Sequence, residues 1–265
     1  MPAKYELISD ELRQMISSGE LRPGDRMPIE AALVERYKVS GPTIRQALAV
    51  LRAEGLIESR HGVGTFVRTP HVKVRRTDER YQWEKNRVHE PESVRRSTGA
   101  TEHDTGLKMP DLAFSAKYTE IEADEDLADA FAVPTGTRLL QRDYRTRPRN
   151  SSAPFNLSRS YLVYDHVASN PELLDEDREP WPGGTQHQLF TVGIEVATIR
   201  EEVEARPPTV HEAAELGMPT EGVAVFDIRK TSIDTTGRVV EVADVVLPGD
   251  RTQLVYTTNL ALWPR

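Results

Sequence analysis

The chain has no cysteine among its 265 residues. That absence excludes disulfides, thiolate zinc sites and cysteine nucleophiles, and it fits a reducing compartment, so the expected location is the cytoplasm. Long apolar runs are missing too, and the opening stretch MPAKYELISDELRQMI is too charged for a secretory signal, so no membrane partner is expected. Catalytic signatures are lacking as well. There is no G-x-S-x-G and no phosphate-cradling glycine loop; HEAAE at 211–215 ends in Glu215 rather than in the His that a zinc motif needs. GVGTF and PGGTQ are lone glycine turns, and the seven histidines are scattered, so neither a metal nor a cofactor is expected.

What remains is a folded chain long enough for two domains, with 38% hydrophobic residues to form its cores. The net charge of -8 argues against a nucleic-acid partner until it is counted by region. Residues 1–100 hold 18 Lys+Arg against 14 Asp+Glu, which leaves 16 against 28 for the rest. The front is basic and the back is acidic.

In the front part, Tyr5, Ile8, Leu12, Met15 and Ile16 recur at helical spacing up to Gly19, where the turn-forming LRPGDRMP begins. A shorter periodic stretch runs from Ile29 through Leu33 to Tyr37. Ser40 is suited to cap a third helix and Pro42 to stand in its first turn; Ile44, Ala47, Leu48 and Leu51 form its apolar stripe, and Gly55 ends it. Leu56–Arg60 and Gly64–Arg68 then read as strands around His61, Gly62 and Val63. Helices followed by a hairpin are the plan of a winged helix-turn-helix. The free face of the third helix offers Gly41, Pro42, Thr43, Arg45, Gln46 and Arg52, with Ser40 at its cap. A helix N-terminus presents N–H groups to phosphate, and Arg45 has the fork to reach guanine. The tip of the hairpin adds Arg60, His61, Gly62 and Gly64, small enough to skirt a minor groove.

These residues resemble the GntR superfamily of bacterial transcription regulators, through YELISDELRQMISSGELRPGDRMP, SGPTIRQALAVLRAEGLI and ESRHGVGTFV across residues 4–68. The resemblance implies a homodimer on palindromic double-stranded operator DNA, with the third helix in the major groove and the wing tip in the minor groove. Two positions depart from the family pattern: Gly41 where Arg is usual, and Ile29 before Glu30 where Ser or Ala is usual. Gly41 removes a side chain that often touches DNA, which throws more weight onto Arg45 and the wing.

Residues 69–79 have no sustained period and read as a linker between a DNA-binding domain at 1–68 and a second domain at 80–265. The rear part alternates strand-like stretches at 138–146, 156–164, 222–233 and 238–247 with helical ones at 124–131 and 208–216, which implies an α+β fold on an antiparallel sheet. On the first of these strands Leu140, Arg142 and Tyr144 share a face. On the last, Glu241 alternates with Val239, Ala243, Val245 and Leu247, where an unpaired carboxylate would be costly. Two explanations stand: a structural ion pair, or a polar cluster at the base of a ligand cavity.

Residues 110–258 resemble the effector-binding UTRA domain of the HutC branch of the same superfamily, with a chorismate-lyase-like fold, through VPTGTRLLQRDYRT, NLSRSYLV and GRVVEVADVVLPGDRTQLVY; the match leans toward actinomycete members. The resemblance implies a small-molecule effector held by Arg142, Ser158, Ser160, Glu241 and Tyr256. Tyr144 stands where relatives commonly place a second Arg, and Arg206 is the candidate replacement cation. EHDTGL at 102–107 and EPWPGGTQHQL at 179–189 read as loops at the cavity edge. The expected function is a ligand-responsive regulator, with a lyase-like enzyme or a protein-binding adaptor as the alternatives.

Overall fold

The computed structural model describes residues 2–60, 62–69, 71–219, 222–261 and 263. The chain divides into two units, one of Met1–Val72 with Pro207–Ala213 and Met218–Ala224, the other of Lys73–Arg206, Ala214–Gly217 and Val225–Arg265.

The first unit is built on α1 (Lys4–Ser17), α2 (Glu30–Tyr37), α3 (Gly41–Ala53) and the antiparallel pair β1 (Ile57–Arg60) and β2 (Gly64–Val67). Each helix turns one apolar stripe inward: Leu12, Leu33, Ile44, Ala47 and Leu51 are fully buried against one another, and Ile57 and Val67 close the core from the hairpin. Arg26 bridges Phe66, while Met27 N–H donates to Thr65 C=O at 2.8 Å and Val67 N–H to Asp25 C=O at 2.8 Å. The turn segment before α2 thus pairs with the hairpin, which its Pro-Gly-Asp text did not announce.

The second unit opens with β3 (Val74–Thr77), followed by α4 (Glu79–Asn86), α5 (Glu92–Ser97) and α6 (Ala100–Thr105). Then come β4 (Leu112–Glu122), α7 (Glu125–Phe131), β5 (Arg138–Pro148), β6 (Leu157–Val163), α8 (Tyr164–Val167), α9 (Gly184–Thr191) and β7 (Val196–Arg206). α10 (Val210–Leu216), β8 (Val225–Asp234), β9 (Val239–Pro248) and β10 (Thr252–Val255) complete the described elements. Six strands form one antiparallel sheet in the order β4-β5-β6-β9-β8-β7. One face packs Leu139, Tyr161 and Val242 under α7; the other packs Leu140, Leu162 and Val240 with Leu189 of α9. The architecture is α+β.

The linker reading of 69–79 needs correction at 74–77. These residues form β3, which pairs in parallel with β10, Thr252 opposite Val74 and Val255 opposite Thr77. The partner strand lies far along the chain, so no local period marks it. Among the described residues, no helix is long and apolar enough to cross a membrane.

Candidate functional site

A cavity of about 520 Å³ lies over one face of the sheet in the second unit. Its floor follows from strand register. Arg142 of β5 stands opposite Ser160 of β6, Ser160 opposite Ala243 of β9, and Ala243 opposite Lys230 of β8. In the next row Tyr144 faces Ser158, and Ser158 faces Val245. Period-two alternation therefore places Arg142, Tyr144, Ser158, Ser160, Lys230 and Glu241 on one face. Ala243, the smallest side chain of the row, leaves room above it. The walls come from α4 to α6 on one side and from residues 179–188 on the other.

Glu241 is buried and accepts four hydrogen bonds: from Ser160 Oγ at 2.8 Å and Arg142 Nη2 at 3.3 Å on one oxygen, and from Lys230 Nζ at 2.7 Å and Ser232 Oγ at 3.0 Å on the other. Burial alone would raise its pKa, but Lys230 and Arg142 outweigh burial and bring it down to about 2. Arg142, 0% exposed, also donates to Gln188 Oε1 at 2.7 Å and Ser160 Oγ at 2.7 Å. The network ties the sheet to α9. A second carboxylate, Glu179, accepts from Tyr118 OH at 2.5 Å, Tyr144 OH at 2.9 Å, Gln188 Nε2 at 3.0 Å and Trp181 N–H at 2.6 Å. Burial, with Glu179 alongside and against the pull of Arg142, raises the Tyr118 hydroxyl to about 12, so it remains a donor.

In the first unit, Ser40 caps α3 from extended backbone; its Oγ accepts from Thr43 N–H at 3.4 Å and shares a 2.9 Å hydrogen bond with Thr43 Oγ1. With Ile44, Ala47, Leu48 and Leu51 buried, the opposite face is left outside: Pro42, Arg45 and Gln46 are exposed, Gly41 and Thr43 half-buried. The Arg45 side chain is 59% exposed and pairs with Glu30 at 3.4 Å, a surface contact of little strength that a phosphate or base can displace. In the wing, Gly62 and Gly64 take φ of 71° and 140°. A Cβ on Gly64 would lie 2.9 Å from Nε of the exposed Arg26 side chain, which can move aside, so it is the φ of 140° that calls for glycine there. Arg26, exposed at the base of the wing, is a cation that the sequence reading passed over.

Residues 4–67 match the family described as bacterial regulatory proteins, gntR family, and residues 116–253 match the UTRA domain. The chain belongs to the GntR family. Its UTRA domain and its relatives place it in the HutC branch. The histidine utilization repressor of Klebsiella aerogenes is 28% identical over 253 residues, covering 94% of this chain and 92% of that protein. An HTH-type transcriptional regulator of Streptomyces coelicolor is 27% identical over 251 residues, covering 94% and 90%. The crystal structure of a GntR-family transcriptional regulator matches with a TM-score of 0.60 at 26% identity over 98% of both chains. PhnF from Mycobacterium smegmatis, at a TM-score of 0.54 and 21% identity over 96% and 99%, shares the fold. The family is one of transcription regulators, not enzymes.

Within this GntR-family chain, Tyr144, Ser158, Ser160 and Glu241 line the cavity, and the segments 102–107 and 179–189 contribute to its wall, largely as helices α6 and α9 rather than as loops. Three expected effector contacts are placed differently. Arg142 lies beneath the lining, its guanidinium occupied by Gln188, Ser160 and Glu241. Arg206 is not part of the lining; its Nε pairs with Asp227 of β8 at 2.6 Å, as an edge strand rich in Glu and Arg can do with its neighbour. Tyr256 follows β10, is 55% exposed and does not line the cavity. For the wing, His61 lies outside the described residues, and Arg60 is described by its strand position opposite Gly64. Lys230 was missed, although its parity with Ile228 and Ser232 in β8 could have marked it. Glu179 and Gln188 carry no periodic signal.

Because Glu241 has all its acceptor positions filled from within the protein, it serves the structure as the countercharge of Arg142. Glu241→Gln is expected to destabilise the fold by roughly 3–5 kcal/mol at neutral pH, by leaving buried cations uncompensated. The sign with pH follows from the depressed pKa: the carboxylate's contribution is complete above its ordinary value of 4.5 and is lost as pH falls through about 2. The gap between wild type and variant in urea unfolding should therefore shrink as pH is lowered across that window, and a constant gap would contradict the assignment. In the wing, Gly64→Ala is expected to lower stability by about 1–3 kcal/mol through backbone strain; an unchanged melting temperature would rule that out.

Proposed function

We propose that this GntR-family regulator is a cytoplasmic, ligand-responsive repressor that binds a palindromic operator as a homodimer and loses operator affinity when a small molecule fills the cavity of its UTRA domain. The observation that carries this reading is the outer face of α3. At its N-terminal end Pro42, Arg45 and Gln46 stand exposed beside Gly41 and Thr43, over a stripe that is entirely buried. Such a surface offers N–H groups to phosphate and a guanidinium fork to base edges. The names of the relatives favour repression: histidine utilization repressor for the Klebsiella protein, and HTH-type transcriptional repressor NagR for a Bacillus subtilis protein 26% identical over 266 residues, covering 95% of this chain and 93% of that one.

In this reading Ser40, Thr43, Arg45 and Gln46 enter the major groove and the wing residues Arg60, His61, Gly62 and Gly64 approach the minor groove. Tyr144, Ser158 and Ser160 contact the effector, and Glu241 and Arg142 hold them in place. Coupling is a population shift: an occupied cavity favours dimer arrangements whose two DNA-reading heads do not match both half-sites at once.

The test is fluorescence anisotropy of the full-length protein on duplex DNA from upstream of its own gene. Arg45→Ala is expected to weaken specific binding by about 1–3 kcal/mol, roughly ten- to a hundredfold, with the melting temperature unchanged. If the variant bound the operator as tightly as wild type, α3 would not be the reading helix.

A further inference from the structure

The wing carries an added edge. Gly24 N–H donates to Val67 C=O at 2.9 Å, Val67 N–H to Asp25 C=O at 2.8 Å and Met27 N–H to Thr65 C=O at 2.8 Å, so residues 24–27 run along the free side of β2 with Arg26 opposite Phe66. Residues opposite one another in an antiparallel pair share a face, and alternation sorts the others. Met27, Val67 and Ile57 fall on the face that is buried in the core. Arg26, Phe66 and Gly64 fall on the outer one. The Arg26 guanidinium reaches along that outer face toward the tip: a Cβ on Gly64 would stand 2.9 Å from its Nε, 3.1 Å from its Nη2 and 3.4 Å from its Cζ. The missing side chain at Gly64 gives it the room to lie there.

This cation is also uncommitted. The arginines of the three helices are engaged: Arg13 with Glu54 at 2.6 Å, Arg36 with Glu11 at 2.7 Å, Arg45 with Glu30 at 3.4 Å, and Arg52 through its Nε to Ser59 Oγ at 2.9 Å. Arg26 is exposed and has neither a hydrogen bond nor an ion pair among the described residues. The carboxylates near it in the chain fold are placed elsewhere. Asp25 falls on the other face by alternation and accepts from Arg22 N–H at 2.8 Å. Glu58 lies beyond Phe66 on β1, two strand spacings or about 10 Å away. A planar guanidinium with its donors unspent, aimed toward a hairpin tip, is shaped to take a phosphate group.

We infer that Arg26 is a phosphate clamp of the wing, its guanidinium meeting a backbone phosphate at the edge of the minor groove that the tip approaches. The inference rests on the reading that α3 and the wing face DNA, and adds to it a contact from the segment before α2, outside both the reading helix and the hairpin. Such a contact sets the register of the unit on the duplex and carries no base preference of its own.

The experiment measures binding of the full-length protein, over a series of salt concentrations, to two duplexes of equal length: one from upstream of its own gene and one with that sequence scrambled. Arg26→Gln removes the charge and should weaken binding to both duplexes by the same factor, about tenfold. The slope of log affinity against log salt should become shallower by about 0.9 for each protomer on the duplex. Arg26→Lys, which keeps the charge, should retain the wild-type slope. The clamp is refuted if Arg26→Gln keeps wild-type affinity and slope, if Arg26→Lys loses the slope, or if the loss is confined to the upstream duplex, which would make Arg26 a reader of bases. Should Arg26→Gln fail to fold, Arg26→Thr, suited to an extended edge, takes its place under the same criteria. Wild type that binds neither duplex would sink the DNA-reading proposal and the clamp with it, whereas wild-type binding that Arg26→Gln leaves untouched would sink the clamp alone.

Discussion

The second unit depends on a single buried charge. Arg142 has no contact with solvent, and a guanidinium in that position needs a countercharge and acceptors, which here reach both terminal nitrogens while its Nε–H has no partner among the described residues. Glu241 supplies the charge from β9; Ser160 of β6 and Gln188 of α9 supply the acceptors. One side chain therefore fixes the relation of three neighbouring strands and the helix that walls the cavity. Slipping β5 by one residue would replace Arg142 with Gln141 or Asp143 and leave Glu241 without this partner, so the network specifies register as well as position. Lys230 completes the arrangement from β8, which makes the floor of the cavity a consequence of how the sheet neutralises its own interior.

That neutralisation determines what kind of chemistry the cavity can recognise. The carboxylates nearest the floor, Glu241 and Glu179, face inward to protein donors, and little acceptor capacity is left for a ligand. A cationic ligand would meet more arginines than free acceptors there, which disfavours it. Aromatic side chains, Phe114 and Tyr144 with ring centroids 6.0 Å apart, give the body of a ligand an apolar surface. On the proposed reading, recognition is divided between a floor set by strand register and the walls contributed by short helices.

Much of this was legible in the chain, for reasons that can be named. The stripe Ile44, Ala47, Leu48 and Leu51 has helical period because one face of α3 is buried, and the cap at Ser40 and Pro42 marks its start; from these the exposed face follows by subtraction. The isolation of Glu241 among Ala243, Val245 and Leu247 signalled a buried carboxylate, and parity with Leu140 placed Arg142 on the inner face; Val239, expected beside them, packs on the other face because the β8–β9 register shifts between Ser232 and Ile233. What escaped lacks a local pattern. β7 and β4 are edge strands of 11 residues with charged side chains on both faces, so alternation is blurred. β3 pairs with a strand some 180 residues away, and nothing within VKVRRT reports that partner. Arg206, the candidate replacement for the second Arg of relatives, sits at the end of an edge strand, where it pairs with Asp227 of the adjacent strand.

The division of charge along the chain completes the argument. Residues 1–72, the continuous part of the first unit, hold 10 Lys or Arg against 9 Asp or Glu, and the remainder of the chain holds 24 against 33, so only the rear part is clearly repelled by a polyanion. Non-specific attraction to DNA acts through phosphate and falls with salt, so a uniformly basic regulator of this size would adhere along its whole surface. An acidic rear part repels the duplex everywhere except where the front part faces it. On the proposed reading, encounters are thereby biased toward the orientation in which α3 and the wing meet the duplex. The negative charge that a whole-chain count would take as evidence against DNA binding is thus concentrated in the part of the chain that the proposed reading keeps away from the duplex.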